Sequence, residues 1–256
     1  MQNVTVASEG AKLLVSIDGR GPLVVLLHGP GGAGAACAGL AGPLVAAGFR
    51  AAMPDLRGSG RSHDERELGW ERLGRDVVAV MDELGAERAV VVGLSGGCGA
   101  ALRAALDAPG RVRALGLVRP AHGGADAPLT AAQAAAFAGM RGLTSRAPSE
   151  GVDVLRPMFD GLPEPIRSAA LAMLPTLDAE SVAATGRFLA SGAQPFGAGT
   201  ELAAIAVPTL VIPGADMMHP PEVAAHLAAH IAGAEVAAVP EAEEGAALAA
   251  FCARLG

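Results

Sequence analysis

The chain has 256 residues, a length typical of one large α/β domain that carries an insertion. Its 19 lysines and arginines against 26 aspartates and glutamates give a formal net charge of -7, which repels phosphate backbones and anionic membranes. Nucleic acid and acidic membranes are therefore excluded as expected partners. Aromatic residues make up 3% of the chain and tyrosine is absent, so the walls of any pocket are expected to be aliphatic.

No uninterrupted apolar stretch reaches the length of a membrane-spanning helix, and the N-terminal segment MQNVTVASEGAK lacks the basic-then-apolar order of a signal peptide. We therefore expect a cytoplasmic protein. Cys37, Cys98 and Cys252 are far apart and odd in number, which argues against a disulfide framework and a paired-cysteine metal site. No nucleotide-binding glycine pattern follows a predicted strand. The sequence predicts no cofactor, and it leaves the oligomeric state open.

The predicted elements begin with two short strands, VTVAS and KLLVSIDG, joined by SEG as a hairpin at a sheet edge. The apolar run LVVLLHG at 23–29 predicts a strand buried on both faces, and a helix is predicted over 35–47. RAAMPDL predicts the next strand, followed by the loop RGSGRS and a helix over 68–84 that ends at Gly85. AVVVGL, a helix over 96–106 and VRALGLV predict a further strand, helix and strand.

The alternation of strands and helices stops between residues 121 and 200. This segment is rich in alanine and broken by prolines, which predicts an inserted helical cap. VPTLVIPG, a helix near Pro220, the strand AEVAAVP and a final helix to Leu255 resume the alternation. Such an order requires crossover connections, so the predicted fold class is α/β, with a mostly parallel eight-stranded sheet and helices on both faces. The predicted domains are a core of residues 1–120 and 201–256 and a cap of residues 121–200.

The segment GLSGG, from Gly93 to Gly97, lies between a predicted strand and a predicted helix. A serine flanked by glycines in that context predicts a nucleophile elbow, because larger flanking side chains would collide with the strand and the helix. Ser95 Oγ would then stand above the sheet, where the N-terminus of the next helix favours developing negative charge. The alternative interpretation is a glycine-rich turn that contains an incidental serine.

Three further motifs accompany GLSGG: LLHGPGG at a strand end, PDLRGSGRS after the next strand, and VPTLVIPGAD before a late helix. In their order and spacing the sequence resembles the α/β-hydrolase superfamily over nearly its whole length. It looks most like the branch of small esterases, lactonases and proline iminopeptidases with a helical cap. The resemblance implies that Ser95 is the nucleophile, that Asp216 is the triad acid and that the Gly96 amide is an oxyanion-hole donor.

Two positions depart from the family pattern. The resemblance implies a triad histidine after the last strand, but the stretch VPEAEEG contains none, and Glu243 or Glu244, much weaker bases, stand roughly in its place. Pro30 occupies the position of the second oxyanion donor and has no N–H, so Gly31 could serve only if the loop is shifted. Losing one such donor costs about 10² to 10³ in rate, which argues against an efficient ordinary esterase.

The group that accepts the Ser95 proton stays open between two histidines. His219 follows Asp216 by three residues, so the carboxylate can pair with the ring and orient it, although the histidine can equally cap the next helix. His122 stands where the cap begins and can face the pocket mouth. The resemblance implies that His28 braces loops beneath the pocket, but its ring lies near the chemistry and is also a possible alternative base. His28, Pro30 and Leu94 are further possible pocket positions.

The remaining histidines have simpler explanations. His63 follows the RGSGRS turn and is expected in solvent. His226 and His230 lie one helical turn apart with Glu222 one turn earlier, a spacing that can hold a metal, but an exposed helix face is the favoured interpretation. The sequence therefore predicts no metal.

The sequence favours an α/β-hydrolase-fold enzyme that acts on a small apolar metabolite, by ester, lactone or thioester hydrolysis or by acyl transfer through Ser95. A non-hydrolytic cyclase or lyase of bacterial natural-product metabolism is the alternative, favoured by Pro30 and the missing late histidine and otherwise based on analogy. The third interpretation is a catalytically inactive protein that binds a ligand. Epoxide hydrolases are disfavoured, because the resemblance implies an aspartate at their elbow and tyrosines in their cap.

Overall fold

A computed structural model describes residues 1–29, 31–62, 68–161, 164 and 166–255. Two residues that carried expectations, Pro30 and His63, lie outside these described residues. The strands are β1 (Gln2–Ser8), β2 (Ala11–Gly19), β3 (Leu23–Leu27), β4 (Arg50–Pro54), β5 (Ala89–Leu94), β6 (Val112–Val118), β7 (Thr209–Ile212) and β8 (Glu235–Val236). The α-helices are α1 (Ala38–Ala46), α2 (Trp70–Glu83), α3 (Gly97–Asp107), α4 (Ala131–Thr144), α5 (Ala147–Glu150), α6 (Ile166–Met173), α7 (Ala179–Ala190), α8 (Pro221–His230) and α9 (Glu244–Ala253).

Within the described residues the strands form one eight-stranded sheet in the order β1-β2-β4-β3-β5-β6-β7-β8. β1 pairs antiparallel with β2, and β2 pairs antiparallel with β4. The pairs from β4 through β8 are all parallel. The predicted α/β class, the mostly parallel sheet and the hairpin at its edge are therefore confirmed.

The sheet is covered on both faces, as its apolar strands require. Along β3 the side chains of Val25 and Leu27 join one hydrophobic cluster, while Val24 and Leu26 join another on the opposite face. Helices α2, α3 and α8 contribute to the first cluster, and α1 and α9 contribute to the second. No helix in the described part of the chain is long and apolar enough to cross a membrane.

The last strand is shorter than the segment AEVAAVP predicts. β8 covers only Glu235–Val236, after which the Ala237 N–H still donates to the Val211 carbonyl at 3.0 Å. Its neighbour, β7, has four residues, although VPTLVIPG predicts more. β8 pairs with only two residues of β7, Leu210 and Val211.

The segment between β6 and β7 is mainly helical and contains α4 to α7. It has a hydrophobic cluster of its own, built around Ala147, Leu155, Leu174 and Val182. This separate cluster is consistent with an inserted cap. The division into a core of residues 1–120 and 201–256 and a cap of residues 121–200 stays a prediction.

Candidate active site

Ser95 stands on a sharp turn between β5 and α3. Its φ of 58° lies in the left-handed region that non-glycine residues rarely adopt, and its N–H donates to the Val118 carbonyl at 2.9 Å. A Cβ added to Gly93 would meet the backbone of Cys98, and a Cβ added to Gly97 would meet the Leu27 carbonyl oxygen. The two flanking positions therefore require glycine, for the steric reason that the sequence indicates.

The His219 ring lies between Ser95 and Asp216. Its Nε2 is 2.7 Å from Ser95 Oγ, and its Nδ1 is 2.9 Å from each carboxylate oxygen of Asp216. Because Nδ1 faces an acceptor that carries no proton, it holds the ring proton and leaves the Nε2 lone pair for the serine hydroxyl. The structure therefore brings together Ser95, Asp216 and His219, and places a histidine in hydrogen-bond contact with the serine.

A tight turn from Asp216 to His219 produces this arrangement. Asp216 Oδ1 accepts the N–H groups of Met218 at 2.8 Å and His219 at 3.0 Å, and α8 begins directly afterwards at Pro221. Partial burial pushes the pKa of Asp216 up, but the hydrogen bond and charge of His219 and the two amides outweigh it, so the pKa lies below its usual value. The carboxylate is thus the stable form beside the imidazole.

An apolar cavity of about 360 Å³ opens beside Ser95. Apolar side chains of the cap and of the Asp216 turn form much of its wall, above all Phe137, Met140, Leu189 and Met217. No aspartate, glutamate, lysine or arginine is among the described residues that line it, and its polar side chains are Ser95, His122 and His219. The expected aliphatic wall is correct except for the Phe137 ring. A larger cavity of about 490 Å³ beside α2 and α7 does not include Ser95.

His122 lines the same cavity but makes different contacts. Its side chain is buried, with its ring edge-on to Trp70 at 4.9 Å between centroids and stacked on Phe137 at 6.0 Å. Nδ1 is buried without a hydrogen-bond partner in the described structure. Burial, with a smaller effect of His219, lowers the pKa of His122 to about 4. The ring is neutral at physiological pH, and it is His219 that contacts the serine.

Two expected pocket positions need correction. His28 is fully buried below the cavity, where Nε2 accepts the Leu56 N–H at 2.8 Å and Nδ1 donates to the Gly29 carbonyl at 2.6 Å. Both ring nitrogens are used, so His28 braces the loops and is not an alternative base. Leu94 packs against the hydrophobic cluster on the α1 and α9 face of the sheet and is not among the cavity-lining residues.

The late glutamates also have other roles. Glu244 is buried, and its carboxylate lies 3.2 Å from Arg119 Nε; burial raises its pKa although Arg119 acts in the opposite direction. Glu243 is exposed at the start of α9. Neither glutamate is among the described residues that line the cavity beside Ser95.

The two expected oxyanion donors differ in their surroundings. Gly96 lies at the N-cap of α3 and lines the cavity beside Ser95. The Gly31 N–H instead donates to Ser59 Oγ at 3.0 Å. Ser59 thus holds the N–H that the expected role of Gly31 requires, and that role stays a prediction.

His226 and His230 form a small cluster away from Ser95. Their rings are 4.4 Å apart, and His226 Nε2 is 3.6 Å from an Asp126 oxygen, beside Gly199. Within the described ranges no three His, Cys, Asp or Glu side chains form a group that could hold a metal ion.

Sequence reasoning did not identify the cap residues of the cavity wall. Gln133, Ala136, Phe137 and Met140 have the spacing of one helix face, which is the signal that could have found them. That spacing identifies a common face of α4 but not its neighbour, which turns out to be the cavity and the Asp216 turn.

The comparisons with known proteins agree with this fold. A family model described as the alpha/beta hydrolase fold matches residues 22–143. The crystal structure of a hydrolase from Pseudomonas aeruginosa PA01 aligns with a TM-score of 0.78 at 27% identity, over 99% of this chain and 97% of that one. The chain therefore has the α/β-hydrolase fold.

Curated relatives of this chain match shorter segments. A putative carbamate hydrolase from Variovorax paradoxus strain S110 is 38% identical over 100 residues, which cover 38% of this chain and 38% of that protein. Epoxide hydrolase 3 from Siraitia grosvenorii is 32% identical over 119 residues, which cover 45% of this chain and 37% of that protein. The chain thus spans less than half the length of these relatives.

Proposed function

We propose that this protein is a serine hydrolase that cleaves esters, lactones or thioesters of small, neutral, mainly apolar acids, with Ser95, His219 and Asp216 as its catalytic triad. The observation that carries the proposal is the 2.7 Å contact between His219 Nε2 and Ser95 Oγ, in a ring whose other nitrogen is held by Asp216. The likeness to a hydrolase structure over 99% of the chain supports it.

In the first half of the reaction Ser95 Oγ attacks the carbonyl carbon while its proton passes to His219 Nε2. The negative oxygen that forms is stabilised by the Gly96 N–H at the N-terminus of α3. The carbon–oxygen or carbon–sulfur bond then breaks, and His219 returns the proton to the leaving group. Water attacks the acyl-serine with His219 again accepting a proton, which releases the acid and restores Ser95.

The cavity supports the proposed substrate class. A volume of about 360 Å³ accommodates a small molecule, and its apolar walls give no described counter-charge for an ionic substrate. Burying an unpaired charge there would be costly, so neutral acyl groups are favoured.

Ser95 also separates this proposal from epoxide hydrolysis. If the serine attacked an epoxide carbon, the product would be an ether, which has no acyl carbon for an activated water to attack. The enzyme would be inactivated after one reaction. An ester substrate does not inactivate it, because the acyl-serine that forms is itself an ester, which water can hydrolyse.

The experiment combines covalent labelling with hydrolysis of p-nitrophenyl esters of short acids. A fluorophosphonate probe should label Ser95, and Ser95→Ala should abolish labelling and lower kcat by roughly 10⁴-fold or more. His219→Gln should cause a similar loss, while His230→Gln, a histidine outside the cavity, should retain activity. Undiminished hydrolysis by Ser95→Ala would refute the proposal.

A non-hydrolytic cyclase or lyase is the second candidate, favoured by one observation. The Gly31 amide is engaged by Ser59, which leaves Gly96 as the oxyanion donor in our scheme. This candidate would be supported if the wild-type protein were not labelled and hydrolysed no ester, and if it converted a substrate to a product into which no water had been incorporated.

A further inference from the structure

His122 is one of three polar side chains among the described residues that line the cavity, together with Ser95 and His219. It follows β6 at the start of the cap, and it lines the same cavity as Ser95. The rings of Trp70 and Phe137 hold it from two sides. Its place is therefore defined by packing, independently of the hydrogen bonds that hold His219.

The His122 ring lacks the partners that buried polar groups normally have. Nδ1 is buried without a hydrogen-bond partner in the described structure, and only 4% of the residue is exposed. His28, in contrast, is just as buried and uses both ring nitrogens. Since an unpaired buried polar group costs free energy, its presence beside a cavity needs an explanation outside the packing of the fold.

The charge state of the ring limits what it can bind. With its pKa lowered to about 4 by burial and, less strongly, by His219, His122 is neutral above about pH 5. A neutral imidazole offers one N–H donor and one nitrogen acceptor, which suits a neutral oxygen. A carboxylate or phosphate would find no counter-charge among the described lining residues.

We propose that His122 is a specificity-determining residue that binds a neutral oxygen, a ketone or a hydroxyl, on an otherwise apolar substrate. The inference rests on the proposed function, because it assumes that this cavity receives the substrate of Ser95. A substrate without this oxygen leaves the His122 ring without a hydrogen-bond partner, whereas a substrate with it forms a hydrogen bond to the ring. The second substrate should therefore bind more tightly.

The test compares matched substrates in the wild-type protein and in His122→Phe, which retains an aromatic ring between Trp70 and Phe137. One arm places the oxygen in the acyl part, with p-nitrophenyl 5-oxohexanoate against p-nitrophenyl hexanoate. The other places it in the alcohol part, with 4-oxopentyl butanoate against pentyl butanoate. We expect kcat/KM of the wild-type protein to favour an oxygen-bearing ester by about tenfold in one arm, and His122→Phe to remove that preference.

Leu189→Val is the matched control, since it alters the apolar wall of the same cavity without removing a polar atom and should change both members of a pair by the same factor. The inference would be overturned if, in both arms, the ratio of kcat/KM between the two esters of a pair were the same in the wild-type protein and in His122→Phe.

A failure of the proposed function looks different, because the wild-type protein would then hydrolyse none of the esters. In that case calorimetric binding of 2-heptanone, with heptane-saturated buffer as the apolar reference, decides the role of His122. Tighter ketone binding by the wild-type protein than by His122→Phe supports the inference, and equal binding overturns it.

Discussion

The position of His219 depends on the residue five places before it in the chain, Gly214. A Cβ added to Gly214 would overlap the His219 Cβ and approach its carbonyl oxygen at 2.7 Å. The absence of a side chain at position 214 thus allows the histidine to reach Ser95. Gly214 acts through His219 and is a positioning residue.

We expect Gly214→Ala to lower kcat by roughly 10²-fold with a smaller change in KM, because a displacement of the base by about 1 Å has an effect of that size. The measurement is steady-state hydrolysis, with circular dichroism to show that the fold is retained. Gly139→Ala is the control, since a Cβ at Gly139 meets no atom within 4 Å. A wild-type kcat in Gly214→Ala would contradict the role assigned to this glycine.

Single residues also show how far the sequence can predict the site. Ser95 and its glycines are predictable because the collisions that exclude larger side chains involve the strand and helix that flank the motif, together with β3. The choice between His219 and His122 is not predictable, because Ser95 and His219 are 124 residues apart. The place of Gly31 also depends on Ser59, from another loop.

At the scale of elements, helix α4 is tied to the Asp216 turn by one buried side chain, Gln133. Its Nε2 donates to the carbonyls of Ala121 at 3.0 Å and Met218 at 2.9 Å. Its Oε1 accepts the Thr130 N–H at 2.9 Å, which completes a capping box at the start of α4. Gln133 therefore joins the cap to the turn that carries the triad acid and base.

Gln133→Glu tests this link, because a carboxylate can still accept the Thr130 N–H but cannot donate to two carbonyls. We expect the free energy of unfolding to fall by about 1–3 kcal/mol, and kcat to fall by roughly tenfold as the turn loosens. Urea denaturation and ester hydrolysis measure the two effects.

Gln194→Glu is the control for this change. Its Nε2 donates to one exposed carbonyl, that of Gly192, so its loss should cost less than about 0.5 kcal/mol. Equal effects of the two substitutions would show that Gln133 does not link the cap to the turn.

At the scale of the whole molecule, a buried ion pair connects the loop after β4 with α2 and the N-terminal hairpin. Arg57 contacts both Asp76 oxygens, at 2.9 and 2.6 Å, and donates to the Ser8 carbonyl at 3.0 Å. Burial raises the pKa of Asp76, with Arg57 acting in the opposite direction. The charges are thus held in the interior at a desolvation cost that each partner offsets for the other.

Asp76→Asn removes the negative charge that contacts the buried Arg57 guanidinium. We expect a loss of about 3–5 kcal/mol in the free energy of unfolding, measured by urea denaturation. Asp82→Asn is the matched control, because Asp82 pairs with Arg111 at the surface and should cost no more than about 1 kcal/mol. Similar losses in the two variants would contradict the importance of the buried pair.

The sequence by itself determined the α/β order, the parallel sheet and the serine turn. The periodicity of hydrophobic residues and the steric limits at the serine turn depend on residues that are close in sequence, so they can be identified without a structure. The tertiary structure decided which histidine contacts Ser95, that Gly31 is engaged, and that one face of α4 lines the cavity. These outcomes depend on how the loops after β3, β4, β5 and β7 meet one another and α4 at one edge of the sheet. Contacts between such distant segments leave no local pattern in the sequence.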